Sequence, residues 1–169
     1  MNALIIVLRL LHVVGGVFWV GTAIFTRFFL VPSVAATAES GQVFMRHLTT
    51  KTGLTRRVTL ASYLTVVSGA VLYWIDSQGF TSAWQTSAAG LGFGLGAVAG
   101  LVGFGFGQIV GRNAALIGKL GSQIQGNPTP EQIAALDQAR SKMTSASAVS
   151  TAFLIASLVF MASARYWLF

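Results

Sequence analysis

The sequence predicts an all-α integral membrane protein, a four-transmembrane-helix bundle with a cytoplasmic helical hairpin extending its third and fourth helices. Three observations predict it. Of 169 residues, 54% are hydrophobic and only 9% are charged, with mean hydropathy +0.71; soluble domains carry about 25% charged residues. Four apolar runs reach the length of about 20 residues that a bilayer core requires. Lys and Arg collect in two of the three connections, the pattern that fixes orientation in a membrane. Strands of a barrel would alternate with period two, and no run does so. Helices then satisfy the backbone in lipid. Residues 1–169 read as one transmembrane domain.

The first span covers about residues 4–34 and contains "RLLHVVGGVFWVGTAIFTR". "VAATA" at 34–38 faintly resembles a signal-peptidase site. A signal h-region, however, is about 7–15 residues behind a basic segment. This run is roughly twice as long with nothing basic before it, so it reads as a retained helix. The first connection holds Arg46, Lys51, Arg56 and Arg57. Within it, residues 40–50 mix Val43, Phe44, Met45 and Leu48 with basic side chains, which suits an interfacial amphipathic helix. The second span covers about 58–75. The connection after it, "DSQGFTSAW", has no Lys or Arg.

The third helix, with its span at about 87–110, carries Gly92, Gly96, Gly100, Gly103, Gly107 and Gly111 at spacings of three and four. They share one face in a glycine-zipper pattern, which lets membrane helices approach closely. That face suits packing within the chain, a membrane-protein partner or a homo-oligomer. The last connection holds Arg112, Lys119, Arg140 and Lys142. In "QGNPTPEQ", Thr129 reads as an N-cap, Pro130 as the first helical residue and Gln132 as a capping-box partner. The fourth helix therefore starts near Pro130, well before its span at about 145–168. The basic connections belong inside a bacterial plasma membrane; both termini and the second loop belong outside.

Net charge is +7. In lipid this serves topology and anionic headgroups rather than nucleic acid. The chain has no cysteine, which excludes disulfides, thiolate metal sites and covalent c-type haem. Glu39, Asp76, Glu131 and Asp137, its only acids, fall in connections or at helix ends. Transport usually needs an intramembrane carboxylate, so a small transporter component ranks last among three readings.

The chemistry concentrates in the first span. Arg9, His12, Gly16, Trp19, Ala23 and Arg27 form a stripe about 80° wide. Ionisable residues in a span usually face the bundle interior. His12 lies roughly 12 Å below the outer surface. It is either a hydrogen-bonded core residue or an axial ligand of haem b or another porphyrin, with Arg9 on a propionate. Trp19 shares its face. Met161 on the fourth helix has a depth similar to His12 and is a candidate second ligand. Arg165, like Arg9, is a candidate anion contact in the outer half. Arg27 reads as a snorkelling anchor. A cofactor-free accessory or assembly subunit of a larger complex is the alternative.

"LHVVGGVFWVG", with a following basic residue and Pro32, resembles the first helix of small bacterial membrane proteins of the CopD-like group. These include a domain family of unknown function and, more distantly, the HemJ-type protoporphyrinogen oxidases. The resemblance continues through "FMRHL" and "SGAVLYW", over about the first 75 residues. It implies a haem- or porphyrin-binding four-helix core with His12 as the critical histidine. Arg46 stands where the HemJ pattern has a glutamate, and only Gln85 stands near its third-helix lysine.

Overall fold

The computed structural model describes residues 3–124 and 126–167. Among them the order is α1 (Ala3–Phe25), a π-helical turn (Thr26–Leu30), α2 (Val31–Ala36), α3 (Ala38–Thr50), α4 (Leu54–Asp76), α5 (Ser82–Gln85), α6 (Ala88–Gln123), α7 (Pro130–Ser163) and a closing 3-10 turn (Ala164–Tyr166). No strand occurs among the described residues. Four helices are long and apolar enough to cross a membrane: 3–36, 54–76, 88–123 and 130–166. The architecture is the all-α membrane bundle that the sequence predicts.

Local sequence explains the element ends. Pro32 has no N–H and its ring crowds the carbonyl of residue 28. The π turn just before it, with the Val31 N–H bonded to the Thr26 carbonyl, widens the helix there. Thr37 and Ala38, the latter at φ 46°, then break the line between α2 and α3. Gly53 at φ 67° begins α4. The Ser87 hydroxyl accepts from the Gly90 N–H, 3.1 Å, to cap α6. The capping box of α7 forms as predicted: the Gln132 N–H donates to the Thr129 hydroxyl, 3.3 Å, and the Thr129 N–H to the Gln132 amide oxygen, 2.9 Å.

The helices form a square. α1 packs on α4, and α6 on α7, as two antiparallel pairs. α4 meets α6 and α1 meets α7 along thinner edges; no Cα pair comes within 8 Å across either diagonal among the described residues. The register of α6 and α7 is set by the small residues. A Cβ on Gly92 would lie 2.6 Å from the Ala164 Cβ, one on Gly96 2.6 Å from the Met161 Cγ, and one on Gly103 2.9 Å from Leu154. Ser150 and Ser157 complete the seam, donating to the Gly103 and Gly96 carbonyls at 2.8 and 2.7 Å. The glycine face is therefore covered from Gly96 to Gly107 by α7 of the same chain and at Gly92 by Ala164 and Trp167 just beyond it, with Gly111 in open space.

One aromatic residue ties the two pairs together. Trp19, 6% exposed, packs with Ala61 and Leu154. Its ring meets Phe104 of α6 edge-on at 6.0 Å, and Phe104 meets Tyr63 of α4 at 5.1 Å. α6 and α7 have 36 and 34 residues. At 1.5 Å per residue each exceeds 50 Å, against about 30 Å of hydrocarbon. The excess forms the hairpin, at the end of the bundle that also carries α3.

Candidate functional site

The site is built where α1 crosses α4. His12 is half-buried, and its Nδ1 lies 2.8 Å from the Thr65 carbonyl oxygen. A carbonyl only accepts, so Nδ1 carries the proton and donates it. In the neutral imidazole Nε2 then holds the lone pair. It has no hydrogen bond among the described residues. It is also not sealed in the core, because no buried side-chain nitrogen or oxygen among them lacks a partner.

The ring fits because α4 has a glycine beneath it. A Cβ on Gly69 would stand 2.6 Å from His12 Cε1 and 2.8 Å from Nδ1. One turn earlier, Gly15 admits Thr65, whose hydroxyl would lie 2.7 Å from a Cβ there. That hydroxyl donates to the Ala61 carbonyl, 2.8 Å. Ser68 also reaches the Thr65 carbonyl, at 3.3 Å. Donation of Nδ1–H to a carbonyl is how a ligating imidazole is held: it fixes the tautomer, aims the ring and makes Nε2 more basic.

Above His12 the end of the bundle is charged and aromatic. Arg9 lies 4.0 Å from Asp76 at the end of α4, both side chains well exposed at 47% and 40%. Such a pair contributes about 0–1 kcal/mol, so either partner is free to exchange it for another ion. Tyr73 packs edge-on to Trp84 at 5.1 Å, and Trp74 does the same to Phe80 at 5.0 Å. The loop between them turns back through Gln78, Gly79 and Phe80, all at positive φ. Aromatic residues of this kind settle at the membrane–water boundary.

The remaining candidates lie elsewhere. Trp19 belongs to the central core. Met161 sits in the α6–α7 seam, its sulfur 4.0 Å from the Ser157 hydroxyl and its stem on Gly96; no hydrogen bond joins it to His12 among the described residues. Arg165 is exposed in the closing 3-10 turn. Arg9 and His12 thus share one end of the α1–α4 seam, whereas Trp19 and Met161 have packing partners of their own. Sequence spacing overlooked Thr65, because it acts through a backbone carbonyl, and the Arg9–Asp76 pair.

The donor set is limited. Among the described residues no three His, Asp or Glu side chains gather to hold a metal ion. His12 offers one nitrogen, which suits an iron already held by a macrocycle better than a bare ion. No family model, curated protein or solved structure matches the chain.

Proposed function

We propose that this chain is a plasma-membrane protein that binds haem or a related porphyrin through His12, in the half of the bundle away from the hairpin. One observation carries the reading: the Nδ1–H of His12 is tied to the Thr65 carbonyl, over a glycine, with Nε2 free. Glycine bays elsewhere in the chain, at Gly15, Gly92, Gly96 and Gly103, serve packing alone; what supports the reading at His12 is a ring with Nδ1 tied and Nε2 without a partner among the described residues. In this reading Nε2 would ligate the iron and Arg9 would exchange Asp76 for a propionate. Bound there, haem would supply one-electron redox chemistry. The charge distribution favours hairpin inside, His12 and both termini outside.

The test is haemin titration of the full chain purified in detergent, followed by its visible spectrum. A Soret shift that saturates at one haemin per chain, and that His12→Ala abolishes without loss of helical circular dichroism, is the expected result. Equal binding by His12→Ala ends the assignment.

A second reading has its own support. The first span buries 6% of its most apolar window inside the chain, against 28% for each of the others. An accessory subunit that lays α1 against a larger membrane partner would look like this. Photocrosslinking from Val14, which is 65% exposed, distinguishes the two: a protein adduct in membranes supports the subunit reading, and lipid adducts alone count against it.

A further inference from the structure

A groove runs down the other half of α1, away from His12. It is walled by Val17, Gly21 and Phe25, by Leu30 at the end of the π turn, and by Leu48 of α3 and Leu54 of α4. It is open along its length and holds about 400 Å³. From Val17 to Leu30 it extends about 20 Å, slightly more than the hydrocarbon depth of one leaflet, about 15 Å. Its floor is open: a Cβ on Gly21 would meet nothing within 4 Å. Thr22 turns its hydroxyl onto the Phe18 carbonyl of its own helix, 2.6 Å, so it adds little polarity.

The lining residues are apolar or hydroxyl-bearing, and cations stand within three residues of them along the chain. Arg27 follows the lining residue Thr26, Lys51 is three residues beyond Leu48, and Arg57 is three beyond Leu54. None has a carboxylate partner among the described residues, where the two ion pairs are Arg9–Asp76 and Arg140–Asp137. Glu39 is the sole acid between positions 26 and 57. α3, amphipathic and with Val43 and Phe44 exposed, lies beside the groove as an interfacial helix would.

We infer that this groove binds one anionic phospholipid of the leaflet that contains α3. One of its acyl chains lies along Gly21, and its phosphate meets Lys51 of the α3–α4 turn and Arg57 of the first turn of α4. A zwitterionic lipid fills the slot equally well but brings its own ammonium group toward these cations. Each Lys or Arg near a lipid surface favours an anionic headgroup by about fivefold.

Native mass spectrometry of the full chain in detergent tests this, with equal phosphatidylglycerol and phosphatidylcholine of the same acyl chains. The wild type retains one phosphatidylglycerol in preference to phosphatidylcholine. Gly21→Leu fills the floor and loses both adducts. Gly105→Leu, placed on α6 where a Cβ also meets nothing within 4 Å, keeps them. Arg57→Gln keeps the phosphatidylcholine adduct and lowers the preference about fivefold. Retention of lipid by Gly21→Leu at the level of Gly105→Leu overturns the site. Equal retention of the two lipids by the wild type overturns the headgroup assignment. Haemin binding at His12 is unaffected by Gly21→Leu, so the two sites stand or fall separately.

Discussion

Replacing Gly69 by alanine puts a methyl carbon 2.6 Å from His12 Cε1 and 2.8 Å from Nδ1. Carbon atoms settle at about 3.5–4.0 Å, so the ring must retreat by about 1 Å. The Nδ1–H bond to the Thr65 carbonyl, 2.8 Å at rest, then stretches to roughly 3.8 Å and is lost. A neutral hydrogen bond contributes about 1 kcal/mol net. Gly to Ala inside a helix returns about 1 kcal/mol. The two cancel, so the melting temperature should move by less than about 4 °C while the ring loses its orientation. ¹⁵N NMR of histidine-labelled protein, at a pH where imidazole is neutral, reads this directly. The wild type shows His12 as the Nδ1–H tautomer, and Gly69→Ala shifts it toward Nε2–H with weakened haemin binding. A variant that keeps the Nδ1–H tautomer refutes the bay, and one that loses several kcal/mol refutes the cancellation.

Three further outcomes are expected. Ser150→Ala and Ser157→Ala each remove one bond across the α6–α7 seam and cost about 0.6 kcal/mol in reversible unfolding from mixed micelles; their sum in the double variant holds within about 0.5 kcal/mol. Gly92→Ala meets the Ala164 Cα at 2.8 Å, and because backbone cannot yield as a side chain does, it costs about 1–3 kcal/mol in the same assay, whereas Gly105→Ala is neutral or stabilising. Glu131, in the hairpin beyond the bilayer, has its carboxyl held below the ordinary 4.5 by its own backbone N–H and then by the Thr129 hydroxyl. The stabilisation it gives is complete above that ordinary value and is lost as pH falls through the lowered one; helicity measured during acid titration should show a step that Glu131→Gln removes.

The parts legible in the sequence are those set by local chemistry. Run length located the four spans, and Thr129, Pro130 and Gln132 located the start of α7. The 3.6-residue period placed His12, Gly16, Trp19 and Ala23 on one inward face. What spacing could not supply was which neighbour each of them meets. His12 and Met161 have similar depths in sequence arithmetic, yet one faces α4 and the other α6. The glycines of the third helix were legible as a close-packing face; what covers them depended on Ser150 and Ser157 of a different helix, and on Ala164 in the turn that follows it. Thr65 left no signal at all, since any residue there would present the same carbonyl.

The distribution of contacts also says how the molecule comes apart. α1 with α4, and α6 with α7, are pairings between chain neighbours, whereas Trp19, Phe104 and Tyr63 form the main bridge across the middle. The protein therefore has a seam, and the linker across it is the short stretch 77–87. Two fragments, 1–81 and 82–169, each hold a complete helical hairpin. Co-expressed in one membrane, they should reassociate by docking alone, with Trp19→Ala separating the halves while leaving each hairpin intact. Failure of the fragments to co-purify would mean that the halves cannot mature independently. Co-purification would mean that the ribosome delivers two preassembled pieces, and that the late event in biogenesis is their docking through the Trp19 cluster and the Tyr73–Trp84 pair.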